Sequence, residues 1–187
     1  MGVQVRERTI EEIEEKLSTI RTELNKITYL ESALREAGFS FEIKRFLYGE
    51  LSRLYEEKKM YDKAARAMAN KAGMEVTFRE KIDSYVSAAE LYARMGRVDD
   101  ADEMFVRAMR DSNVEQKAKI KLARKNVYLV SARSLEKAGK RGGSVKFYEK
   151  LVRMGLEESE KNQIKKKLVV MYKALGMFRE AKLLEGV

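Results

Sequence analysis

The side chains that most often carry chemistry at neutral pH are missing, because the chain has neither histidine nor cysteine. Their absence removes the commonest general base and metal ligand together with thiolate metal sites and disulfides. Carboxylate pairs such as Asp99-Asp100 remain. At the start of a helix, however, they serve as partners for its dipole, and no other reactive group converges with them. Gly139-Lys-Arg-Gly-Gly143 suggests a phosphate-cradling loop. It lacks the Lys-Ser/Thr ending of a P-loop and follows a helix, so it reads as an interhelical turn with a basic tip. The residue types argue against an enzyme, a metal or a cofactor.

Charge is the remaining chemical signal. The net charge is +9, and it is unevenly placed. Residues 1–112 carry 20 basic and 22 acidic side chains, a net −2, whereas residues 113–187 carry 19 and 8, a net +11. Lys117, Lys121, Arg124 and Lys125 lie at steps of four, three and one and share a helix face. With Lys140, Arg141, Lys161 and Lys165 they form a basic set able to meet the phosphates of RNA or of a ribonucleoprotein such as the ribosome. Tyr128, Phe147, Tyr148 and Tyr172 occupy core-like positions and offer little base stacking, so such binding should be salt-dependent and nearly sequence-blind. A solvated lysine-rich face is the competing reading.

The elements that position these residues are helices. Proline is absent, and Ala, Leu, Lys, Arg, Glu and Met are abundant, so the chain is expected to be all-α. Lys, Arg and Glu richness resembles heat-adapted proteins, with ten methionines running against it. Residues 1–8 look frayed. Thr9 with Glu12, Thr77 with Glu80 and Ser112 with Glu115 each have the spacing of a capping box. From Thr9 one long helix is expected to reach Gly38, with Ile10, Ile13, Leu17, Ile20, Leu24 and Ile27 as a narrow seam. That seam can pack within the chain or join two copies. Helices then follow over about 41–58, 64–72 and 112–138. The last of these turns Ala118, Leu122, Leu129, Ala132 and Leu135 inward. Further helices end at Gly155 and Gly176, with Leu175 inward on the latter, and Phe178, Ala181 and Leu184 line a short final one.

The clearest stretch is Ile82 to Asn113. Tyr85, Ala88, Ala89 and Tyr92 line a first helix, Gly96 closes it, and Ala101, Met104, Phe105 and Ala108 line a second. Its elements recur: Tyr92, Gly96, Val98 and Ala101 are matched by Tyr172, Gly176, Phe178 and Ala181. Tyr55, Lys59, Tyr61 and Ala64 match with lysine for glycine, and Leu135, Gly139, Arg141 and Ser144 form a degraded copy.

Ala89, Tyr92, Gly96, Ala101, Phe105 and Ala108 resemble the tetratricopeptide repeat position by position. The spacings of 37, 43 and 37 between Ala64, Ala101, Ser144 and Ala181 exceed that family's 34. They look more like the tetratricopeptide-like solenoids of SNAP-type adaptors. The resemblance covers residues 41–187, with residues 1–40 as a separate amphipathic helix. It implies a right-handed α-solenoid of antiparallel hairpins, about nine helices in all, acting as a noncatalytic adaptor. The implied concave groove would present Arg53, Glu90, Asn126, Arg133, Gln163, Lys166 and Lys173 to an acidic peptide or protein. Gly49, Arg53 and Ser87 stand where a chaperone-type carboxylate clamp needs its Lys and Asn set. No apolar run reaches membrane-spanning length, and the start Met-Gly-Val-Gln-Val-Arg carries no signal or myristoylation pattern, so a cytoplasmic protein is expected.

Overall fold

The computed structural model describes residues 4–36, 38–110 and 112–186. They form ten helices and no strand: α1 (Ile10–Thr19), α2 (Glu23–Ala33), α3 (Phe41–Glu57), α4 (Tyr61–Ala72), α5 (Phe78–Arg94), α6 (Val98–Arg110), α7 (Val114–Lys137), α8 (Arg141–Val152), α9 (Glu158–Ala174) and α10 (Phe178–Glu185). From α2 onward each helix packs chiefly on its neighbours in chain order, and α5 also touches α7. Helices α3 to α10 pair as four hairpins. Among the described residues no helix is long and apolar enough to cross a membrane.

The repeated sequence pattern is the turn of each hairpin. Lys59, Gly96, Gly139 and Gly176 all have positive φ, at 58°, 78°, 72° and 73°. The next amide in each case, on Met60, Arg97, Lys140 and Met177, reaches back five residues. It bonds the carbonyls of Tyr55, Tyr92, Leu135 and Tyr172 at 2.7, 3.1, 2.9 and 2.8 Å. This is a Schellman closure, which satisfies carbonyls that a helix end leaves unpaired. Met60, Lys140 and Met177 then adopt nearly the same dihedrals, with φ from −86° to −83° and ψ from 56° to 60°. The chain re-enters a helix there without a side-chain cap.

The large residue of each pattern is buried beneath its turn, and the small residue nine later lets the two helices cross closely. Hydroxyls use that approach from either side. Ser52 donates to the Ala64 carbonyl at 3.1 Å, and Ser144 donates to the Ala132 carbonyl at 2.8 Å, the same crossing with the serine on the other helix. Tyrosines tie each hairpin to what precedes it: Tyr55 donates to Glu31 of α2 at 2.5 Å and Tyr172 to Glu149 of α8 at 2.6 Å.

Several expectations need correction. The long first helix is two helices, which raises the count to ten. Ser18 and Thr19 turn their hydroxyls onto the carbonyls of Glu15 and Lys16, and Thr22 caps a new start by accepting from the Asn25 amide at 3.2 Å. Hydroxyl side chains that satisfy backbone groups locally compete with helix continuation, and the apolar seam hid this. Its Ile13, Leu17 and Ile27 lie in this chain's own core, while Leu24 is 60% exposed. The helix also stops at Ala33, short of Gly38, and Ala37 lies outside the described residues.

Residues 4–8 are anchored and not frayed, with Val5 buried and Tyr29 donating to Glu7 at 3.0 Å. Residues 1–3 lie outside the described residues. The box expected at Ser112 forms one residue later, between Asn113 and Gln116, while Ser112 bonds back to the Ala108 carbonyl. The basic turn is only Ala138 to Lys140, because Gly142 and Gly143 already belong to α8. On α7 the buried residues are Ile120, Tyr128, Ser131, Ala132 and Leu135. Ala118 and Leu122 face solvent, because Tyr128 takes the central place, packed edge-on between Phe105 and Phe147 with ring centroids at 5.8 and 5.4 Å. Leu175 and Phe178 are likewise exposed. Val98 holds the corresponding place to Phe178 in the second hairpin and is buried, whereas no described helix follows α10 to cover the last one.

Lys59 is the exception among the four turn residues, since an L side chain at positive φ is strained by about 1 kcal/mol. Lys59→Gly should therefore raise unfolding stability by about 0.5–1 kcal/mol, whereas Gly96→Ala should lower it by about 1–2 kcal/mol. Urea titrations of both variants check this, and loss of stability in Lys59→Gly would contradict it.

Candidate functional site

The seven groove residues all lie on first helices of hairpins. Arg53, Glu90 and Arg133 hold the same place in α3, α5 and α7, two residues before Tyr55, Tyr92 and Leu135, and Val170 holds it in α9. Arg53 and Glu90 share a depression of about 300 Å³ with Gly49, Ser87, Leu91 and Arg94. Arg53 is held by Glu50 at 2.8 Å and Glu57 at 2.5 Å on its own helix. Glu90 is open to solvent as a residue, but partial burial of its carboxyl raises its pKa, with Arg94 working downward and Glu56 upward. Asn126, Arg133 and Gln163 stand exposed. Lys166 lines a separate depression of about 450 Å³ with Lys165, Asn162, Val170 and Leu184, and Lys173 pairs with Glu185 at 2.7 Å. The seven therefore all lie on first helices without meeting in one pocket.

The eight basic residues divide. Lys121, Arg124 and Lys125 line a cavity of about 610 Å³ between α6, the N-terminal half of α7, the end of α8 and the α8–α9 connection. Lys117 points to solvent, and Lys161 lies 4.0 Å from Glu158. Lys165 belongs to the other depression, and Lys140 and Arg141 sit beyond the far end of α7. The eight thus do not share one cavity.

The cavity also contains residues that sequence reasoning passed over: Lys150, Arg153 and Asp102, with Leu122, Met154 and Leu156 as its apolar part. Asp102 is the hub. It accepts from the Tyr128 hydroxyl at 2.6 Å and from Lys150 at 2.9 Å, and it pairs with Arg124. Arg124 also lies over the Tyr128 ring, 5.5 Å from its centroid. Burial works to raise the Asp102 carboxyl, but the bonds from Tyr128 and Lys150 and the charges of Arg124 and Lys150 outweigh it. The carboxyl is therefore held below the usual aspartate range. The same bond holds Lys150 above its ordinary value.

Lys125 is anchored by Glu160 of α9 at 2.6 Å. Five cations thus face one carboxylate among the lining residues, and that carboxylate is saturated by donors. The sequence signal for Lys150 and Arg153 is weak, because they lie at the end of a different helix, α8, whose packing on α7 brings them to the cavity.

Asp99 and Asp100 do not act together: Asp100 pairs with Arg97 at 2.8 Å and Asp99 with Lys150 at 3.3 Å. Among the described residues no group of three or more carboxylates has a metal-holding arrangement. No protein-family model matches the chain, and no curated protein matches its sequence.

Because the native Asp102 carboxyl is depressed, the stability it contributes is complete above the ordinary aspartate value near pH 4 and fades as pH falls through the lower native value. Asp102→Asn should cost about 2 kcal/mol at pH 7 by leaving Arg124 and Lys150 without their anion. The gap to wild type should narrow below about pH 4. Urea titrations at pH 7 and pH 3 test this, and an equal gap at both would contradict it.

Proposed function

We propose that the chain is a noncatalytic scaffold, a right-handed tetratricopeptide-like solenoid that holds an acidic peptide or protein segment along the first helices of its hairpins. The observation that carries this reading is the fourfold recurrence of one turn and one helix crossing, which sets Arg53, Glu90 and Arg133 in register, one to each of the first three hairpins. A hairpin cannot bury its apolar face alone, and stacked hairpins leave an extended surface suited to a chain-like partner. The absence of histidine and cysteine from the sequence and the separation of Asp99 from Asp100 fit a role in binding. Changing Arg53, Arg133 and Lys166 together to glutamate should abolish capture of partner from an extract of the source cells, with the thermal midpoint nearly unchanged. Undiminished capture would refute the groove.

Association with RNA or a ribonucleoprotein is the second reading, favoured by the convergence of Lys121, Arg124 and Lys125 with Lys150 and Arg153. It requires binding that weakens steeply with salt. Retention of a mixed-sequence RNA at about 0.5 M salt would count against that mechanism.

A further inference from the structure

We infer that the cavity beside the N-terminal half of α7 is a second docking site, which takes an acidic peptide segment bearing one large apolar side chain. Two of its cations are free to meet such a ligand. Among the described residues the side chains of Lys121 and Arg153 make no hydrogen bond or ion pair, although the Arg153 charge lies near enough to Tyr172 to act on its hydroxyl, while Arg124, Lys150 and Lys125 are fixed by Asp102 and Glu160. Fixed cations lose little side-chain freedom when an anion arrives, and the free pair can close on it.

The apolar lining selects what accompanies the anion. Leu122 is 58% exposed, on a face that the periodicity of α7 assigns to the core, and it shares the cavity with Met154 and Leu156 from the α8–α9 connection. Methionine adapts to varied apolar shapes. At about 610 Å³ the space has the size of an ordinary ligand pocket.

A single-stranded nucleic acid would use cations as well, but it also asks for aromatic faces on which bases stack. The cavity lining contains none, since Tyr128 lies below it in the core. Cations beside an aliphatic wall match acidic residues flanking a leucine or phenylalanine.

Of the groove residues, Arg133 is set well apart from this site. Arg133 lies twelve residues beyond Lys121, about 18 Å along α7.

The test uses the full chain and three fluorescein-labelled probes in about 0.1 M salt: the peptide Glu-Asp-Ser-Phe-Asp-Glu, its counterpart with Ser for Phe, and a mixed-sequence RNA oligonucleotide. Anisotropy should show the first peptide bound most tightly. Lys121→Glu with Arg153→Glu should weaken it by about tenfold or more. Leu122→Ala should weaken only that peptide, by severalfold, and because Leu122 is exposed the variant keeps the fold. Arg133→Glu should leave binding unchanged, so failure of the groove and failure of this site are separable. No binding of the first peptide, a change of less than about twofold in the double variant, or tighter binding of the RNA than of either peptide would overturn the inference.

Discussion

The carboxylate of Asp102 is the point on which the middle of the molecule depends. It lies on α6, and its three donors come from α7 and α8, so one side chain joins the second hairpin to the third. A half-buried anion of this kind holds only when its partners come with it, since a lone buried charge is expensive. Around it the apolar contribution is concentrated in one edge-on aromatic stack, Phe105, Tyr128 and Phe147. The junction of the first hairpin with the second also gathers cations on a carboxylate. Between α4 and α5 the helices lie closely side by side, and Glu75, nearly buried, collects Arg45 at 3.7 Å and Lys71 at 3.0 Å. The α6–α7 contact is less extensive, and the cavity opens there.

Much of the fold is legible in the sequence because its turn has strict requirements. A residue in the left-handed region, a large side chain four before it and a small one five after it satisfy backbone geometry that few alternatives meet. Gly96, Gly139 and Gly176 meet it without strain, and even Lys59 follows the pattern at positive φ. The break at Ile20 to Thr22 was less visible. Its cause is hydroxyl groups turning back onto their own backbone, a local competition that an apolar repeat does not register.

The candidate site was only partly legible for a related reason. Periodicity finds the face of a helix that is most apolar, and on α7 this placed Leu122 inward. The core instead chose Tyr128, whose ring and hydroxyl are satisfied together by Phe105, Phe147 and Asp102. That choice leaves Leu122 facing outward beside Lys121 and Lys125, and it draws Lys150 across from α8. Charge counting located the basic half but had no means of separating Lys121, which joins the cavity, from Lys140 and Arg141 in the turn and first residue of α8 beyond the other end of α7.

The same anion that joins the hairpins also orients the fixed cations of the cavity, so architecture and binding chemistry meet at one carboxylate. A double-mutant cycle with Asp102→Asn and Lys150→Met, read by urea unfolding at pH 7, measures that link directly. The account predicts a coupling of about 1 kcal/mol or more between the two positions. Additive losses, with coupling below about 0.3 kcal/mol, would contradict it.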